Sequence, residues 1–359
     1  MPKTFEIPRA AEPLLRRQAG LLSTLQCEEL GIGRETRRRL VRHQRWTSPA
    51  RTVYDTDPVP LAHRVRDDLF AHAARWRTWF ALLVHGPDTI ATGACALVLH
   101  GVSGLPRGFP LEVARADRSP RLRRHGVAVV DYLPFPTVSI DDRQVARIDH
   151  AAAQAIVKLP RQNVLAVLDD LARRHRFGPV ELAALHDLVR RRHGAARLHE
   201  LFGLVVTRSE SPAESSARLS CHDNGVPPDD IQALIVIDGK AVARVDFIWR
   251  LPDGRWLVVE IDGVGPHSTP QALVRDAPRQ NQLLASGQVI MLRFKPADND
   301  RPGGVGAQIA KVLAAHGWTL AATRMRGPAS SWALRQLPGD PRTAGSRAAG
   351  SRTASSRAQ

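Results

Sequence analysis

At 359 residues, 43% hydrophobic and 24% charged, the chain sits near the average of soluble globular proteins and is long enough for two or three domains, which excludes wholesale disorder. No apolar stretch approaches the roughly 18–20 residues of a membrane span, and Met1 through Arg17 lacks the continuous apolar core of a signal peptide, so a cytoplasmic protein without a membrane partner is expected. The 51 Lys+Arg against 35 Asp+Glu leave a formal charge of +16, which points to a polyanionic partner, nucleic acid before a membrane surface.

Residues 13–55 predict short helices followed by an extended piece. Leu14, Leu15, Leu21, Leu22 and Leu25 recur at helical spacing. Ser23 and Thr24 are cap-type residues ahead of Leu25–Leu30, and Gly31 closes that helix. Gly33 leads into a helix over 34–43 that carries Arg34, Arg37, Arg38, Arg39 and Arg42, and Trp46, Pro49, Val53 and Tyr54 then suggest a small hairpin. Helix, helix, basic helix, hairpin is the order of a winged helix-turn-helix, assigned to residues 1–60, whose third helix would enter the DNA major groove. The alternative is a helical hairpin with a solvated basic face.

Residues 61–204 predict a mixed α/β domain without a visible active site. Ala94–Leu99 is an apolar run, Leu111–Val113 and Val127–Tyr132 read as strands, and 151–159, 163–175 and 179–193 read as helices. Residues 338–359 repeat Arg342, Arg347, Arg352 and Arg357 in a small-residue background and are expected to be a disordered tail. Cys27, Cys95 and Cys221 lie far apart with no CxxC pair, so neither a disulfide framework nor a thiolate zinc cage is implied.

The segment 205–320 is the most informative. Ser211-Pro212 opens a helix containing Glu214. Strands follow at Ala233–Ile237, Ala241–Trp249 and Trp256–Asp262, separated by Asp238-Gly239 and by Pro252-Asp253-Gly254. Gly263, Gly265 and Pro266 break the sheet, Thr269-Pro270 opens a helix running to Ala285, and Val289–Phe294 is a buried strand. This αβββαβ order is the core of a restriction-endonuclease-like fold.

Strand alternation puts Val245, Phe247 and Trp249 on one face and Asp246 on the other; likewise Leu257, Val259 and Ile261 oppose Glu260 and Asp262. Acids in apolar strands are costly unless paired or bound to a cation. Mg²⁺ held by Asp246, Glu260 and Glu214 would suit them, because a hard cation takes a few carboxylates and keeps water, and it could promote phosphodiester hydrolysis. The structural alternative is that Asp246 pairs with Arg244 or Arg293. His267, just past the acids, is a candidate general base or phosphate contact. Arg275, Arg279 and Asn281 lie on the following helix, with Arg275 and Arg279 sharing a face.

Ser211-x-x-Glu214-Ser215, Val245-Asp246-Phe247, Val258-Val259-Glu260-Ile261-Asp262-Gly263, His267, Asp276-x-x-Arg279-x-Asn281 and Leu292-Arg293-Phe294 resemble the very-short-patch-repair (Vsr)-like endonuclease domains of bacteria. The resemblance covers about residues 205–315, and residues 13–55 look like the winged helix of AbiEi-type antitoxins that often precedes such domains. It implies nuclease chemistry on Asp246, Glu260 and His267 with Glu214 in support, beside Asp262 as a further catalytic candidate from its strand face, and it implies DNA as partner, a toxin or other defence-system partner, and no small-molecule cofactor. Two departures stand out: Asp262 occupies the place where the common PD-(D/E)xK signature ends in lysine, and the zinc site of true mismatch-repair members has no counterpart. The competing function is a non-enzymatic, antitoxin-like transcriptional repressor on a degenerate nuclease fold.

Overall fold

The computed structural model describes residues 5–66, 68–117, 123–132, 134–237, 240–262, 281, 283–320 and 332–334. It is a mixed α/β protein that divides into two compact units, one running to Ser220 and the other beginning at Cys221. Among the described residues, no helix is long and apolar enough to cross a membrane.

The first unit opens with α1 (Glu12–Arg17), β1 (Leu21–Ser23), α2 (Thr24–Glu29), α3 (Arg34–Arg42), β2 (Thr47–Ala50) and β3 (Val53–Asp55). The strands form an antiparallel sheet in the order β1-β3-β2. Local chemistry explains these boundaries. Ser23 Oγ accepts from Gln26 N at 3.1 Å while Gln26 Oε1 accepts from Ser23 N at 2.9 Å, a reciprocal cap that starts α2. Gly31, at φ +73°, turns the chain out of that helix. Leu22, Cys27, Ile32, Leu40 and Trp46 make a core beneath α2 and α3, and burial pushes the Cys27 thiol up to about 11.

Past β3 the chain is tied down by a buried ion pair. Arg64 donates to Asp55 Oδ2 at 2.5 Å and Trp76 Nε1 donates to the same oxygen at 2.7 Å. Then come α4 (Leu69–His85), β4 (Thr89–Ala91), α5 (Gly93–Leu99), β5 (Glu112–Arg115), β6 (Ala128–Val129), β7 (Thr137–Ile140) and β8 (Arg143–Ala146). The helices α6 (Ile148–Ile156), α7 (Arg161–Arg174), α8 (Pro179–Arg190), α9 (His199–Phe202) and α10 (Pro212–Asp223) follow. The sheet order is β6-β5-β4-β8-β7, with β4 parallel to β8 and antiparallel to β5. Trp79, Leu82, Leu97, Ile156 and Leu165 are fully buried among these elements, each worth about 1.5–3 kcal/mol of burial. Ala94–Leu99, read as an apolar run, is the helix α5, buried on nearly every side.

In the second unit β9 (Asp230–Ile237), β10 (Lys240–Arg250) and β11 (Trp256–Ile261) form an antiparallel meander. β12 (Val289–Phe294) joins β11 in parallel, and α11 (Gly304–Ala315) and β13 (Trp332–Leu334) complete the unit. The strand order is β12-β11-β10-β9-β13. Residues 281 and 283–285 are helical. His267, Arg275, Arg279 and the tail from 338 lie outside the described residues.

Candidate functional site

The sheet of the second unit carries one row of polar side chains across four strands. Phe247↔Val259 is the last β10–β11 pair, and one step further sets Asp246 against Glu260. On the other side, the pairs Ala233↔Val245 and Ile231↔Phe247 set Gln232 against Asp246. In the parallel ladder Glu260 pairs with Arg293. Gln232, Asp246, Glu260 and Arg293 therefore follow one another across β9, β10, β11 and β12. Deeper along the same face of β10 and β11, Ile248 and Val258 are fully buried, so the polar row begins where the apolar core ends.

Each member of the row has a structural partner. Asp246 Oδ2 accepts the Ile261 backbone N–H at 2.7 Å and its Oδ1 accepts from Gln232 Nε2 at 2.9 Å. The carboxylate thus substitutes for the main-chain acceptor that β10 stops supplying. Gln232 holds φ at +48°, an uncommon conformation for a side-chain-bearing residue inside a strand and one that costs about 1–3 kcal/mol. Arg293 Nε lies 3.4 Å from Glu260 Oε2, and its Nη2 donates to Asp262 Oδ1 at 2.5 Å. Arg293, offered by the sequence as a partner for Asp246, is thereby seated against Glu260 of β11 and Asp262 just past its end. Both Glu260 and Asp262 remain partly exposed, as a site for an external ligand requires.

Glu214 belongs to the first unit, whereas Asp246, Glu260 and Asp262 belong to the second. Glu214 starts α10: its N–H donates to Ser211 Oγ at 3.2 Å, and its Oε2 accepts from Glu210 N at 2.9 Å. Nearby, Asp169 on α7 is buried and accepts from Ser215 Oγ and Arg218 Nη2, each at 2.7 Å, and from Val206 N at 2.9 Å. Burial raises its carboxyl above the ordinary range, against the lowering effect of Arg218. Among the described residues, no three His, Cys, Asp or Glu side chains gather into a group that could hold a metal ion.

On α3, Arg34, Arg38, Arg39 and Arg42 are exposed, and Arg34, Arg38 and Arg42 recur at i, i+4 and i+8 on one face. Arg37 departs from the expected DNA-facing set. It is 3% exposed, donating to Ile32 O at 2.7 Å and Glu28 Oε1 at 3.1 Å and lying 5.6 Å from the Tyr54 ring centroid. The reason is its spacing: Arg37 shares the inward stripe with Leu40, and the free carbonyl before α3 offers a buried partner. Asn281 is exposed on helical backbone.

The sequence reading missed Gln232 altogether, since a single amide in an apolar strand carries no signal without its cross-strand neighbour. Arg293 carried one: a lone cation within the apolar run Val289–Phe294 needs an acid beside it.

No family model matches the chain. It is 33% identical over 162 residues to the uncharacterized proteins MT2308 of Mycobacterium tuberculosis strain CDC 1551 / Oshkosh and Rv2248 of strain ATCC 25618 / H37Rv. The match covers 45% of this chain and 59% of each relative, so the chain spans about three fifths of the length of the curated relatives it matches.

Proposed function

We propose that the chain is a cytoplasmic DNA-binding protein whose second unit is a Mg²⁺-dependent, Vsr-like endonuclease domain that hydrolyses phosphodiester bonds in defence or repair. The observation that carries this reading is the pairing of Asp246 with Glu260 on one sheet face, at the margin where the apolar core ends. Support for a DNA-binding amino-terminal part comes from the order α1, β1, α2, α3, β2, β3 and from the exposed Arg34, Arg38, Arg39 and Arg42.

Mg²⁺ sites use one or two carboxylates and leave the remaining positions to water and phosphate oxygens, so Asp246 and Glu260 are the protein ligands this reading assigns to the ion. When bound, the ion would activate water and neutralise charge on a phosphate oxygen. Ile261 N–H and Gln232 fix the Asp246 carboxylate, and Arg293 offsets the charge of Glu260 and Asp262. By the family resemblance, His267 acts as base or phosphate contact, and Arg275, Arg279 and Asn281 contact DNA.

The test is cleavage of supercoiled, linear duplex and single-stranded DNA by the purified full chain with Mg²⁺ or Mn²⁺. Nicking or cutting that stops in chelator and in Asp246→Asn is expected; cleavage undiminished in that variant goes against this site.

A second reading is a non-enzymatic, antitoxin-like repressor. It is favoured by one interaction: Arg293 already compensates Glu260 and Asp262 without a metal ion. Specific duplex binding with no cleavage of any substrate would select it.

A further inference from the structure

The first unit holds a cavity of about 350 Å³ between the Leu61–His63 turn, the first half of α4 and the Pro106–Phe109 loop. Its walls are apolar: Leu61, Leu69, Phe70, Ala73, Pro106 and Phe109 all line it. Phe70 is 40% exposed, a large apolar ring left open to solvent at the cavity's edge. The volume falls at the lower end of small-molecule sites, about 300–1,000 Å³, which combine apolar walls with a few placed polar groups.

The polar groups here carry one sign of charge. Arg77 and Arg107 line the cavity, and no Asp or Glu among the described residues does. Arg77 is held in place: its Nη2 donates to Phe109 O at 3.0 Å, and its guanidinium carbon lies 5.2 Å from the Phe109 ring centroid. Arg77 and Arg107 give an otherwise apolar lining a net positive charge, which complements an anionic group on a ligand. A carboxylate is the natural complement of a guanidinium, and the walls ask for a hydrocarbon body.

We infer that this cavity binds a small apolar carboxylate, its hydrocarbon part against Leu69, Phe70 and Phe109 and its carboxylate paired with the Arg77 guanidinium. The site is independent of the nuclease reading.

Calorimetric titration of the full chain with decanoate and with decan-1-ol tests it. Decanoate should bind saturably at one site per chain and at least about tenfold more tightly than the alcohol. Arg77→Met should erase that preference, and Ala73→Leu, which fills the cavity while keeping Arg77, should abolish binding of both. Equal binding of acid and alcohol, no saturable decanoate binding, or decanoate binding unchanged in Ala73→Leu would each overturn the assignment. Ala73→Leu decides the matter where Arg77→Met does not fold. Preferential capture of an acidic amphipathic peptide with decanoate excluded from the cavity would also overturn it, in favour of a protein-docking groove.

Discussion

The Asp246 carboxylate accepts the Ile261 backbone N–H at 2.7 Å, so the residue proposed for metal chemistry also closes the β10–β11 ladder at its open end. Two roles on one side chain can be separated by substitution. Asp246→Asn retains a carbonyl oxygen for Ile261 and should leave thermal stability within about 1 kcal/mol while lowering cleavage by at least about 100-fold. Asp246→Ala should lose both, with a stability cost of about 1–3 kcal/mol from the stranded N–H. Paired melting and cleavage measurements decide it: equal stability of the two variants would remove the structural role.

Removing the cation tests the other end of the row. Arg293→Met removes a positive charge from beside Glu260 and Asp262, and nearby negative charge favours a bound cation. Mn²⁺ affinity, read by calorimetry, should rise several-fold in Arg293→Met while cleavage falls. Unchanged Mn²⁺ affinity would place the ion elsewhere.

Substitutions on the basic helix separate the proposed DNA contact from structural support. Arg34→Ala and Arg38→Ala should weaken duplex binding, with the salt slope shallower by about 0.9 for each phosphate that is no longer neutralised. Arg37→Ala should act on folding instead, destabilising by about 1–3 kcal/mol because Ile32 O loses its buried donor. Salt-dependent binding and denaturant midpoints on the same variants distinguish the two classes. An Arg37→Ala protein of full stability with weakened binding would reverse the assignment.

Acidification should loosen the first unit. His72, His150 and His175 are each held below the ordinary 6.5, first by burial and then by nearby arginines, including Arg66 and Arg64 beside His72. Asp149 and Asp170 oppose this at His150 and His175. A histidine depressed in the fold stays neutral while the unfolded chain takes up a proton, so stability is lost as pH falls through the ordinary value and is restored above it. Urea midpoints should drop between pH 7.5 and 5, and His72→Gln should lessen the drop. A midpoint flat across that range in the parent chain would count against it.

Gly104 tests the packing of the α7 layer. At φ +96° an added Cβ would stand 2.7 Å from the backbone of Ala166 and Val167, which no rotamer can relieve. Gly104→Ala should destabilise by about 2 kcal/mol or more, measured by denaturant unfolding, whereas Gly108→Ala meets nothing within 4 Å and should be near neutral.

Periodicity served the sequence reading where elements were long and one-sided. Strands β10, β11 and β12 and helices α7 and α8 lie within a few residues of their expected positions, because alternation and helical spacing report burial directly. It failed where tertiary context sets the pattern. Thr137–Ile140 and Arg143–Ala146 form a hairpin whose turn residues Asp141 and Asp142 both take positive φ, and half-exposed strands that short leave little alternation. Helix α11 was not foreseen, since Gly303, Gly304 and Gly306 mask its opening turn. On α3 the number of arginines was legible and their direction was not: Arg37 turns inward only because a carbonyl and Glu28 wait there. The acids of β10 and β11 could be placed on their strand faces from alternation alone, but Gln232 and the hold of Arg293 on β11 depend on register between strands, which no single strand encodes.

Both borders of the second unit's meander are closed by parallel strands, β12 against β11 and β13 against β9. Parallel neighbours cannot be made by a hairpin and arrive only after an intervening crossover. During synthesis the meander β9–β10–β11 therefore emerges first with two bare edges, each a template for pairing with another chain. Arg293 reaches Glu260 only when one of those edges is sealed. The charge pair thus marks the closing of the β11 edge alone, and loss of β13 would leave the β9 edge bare.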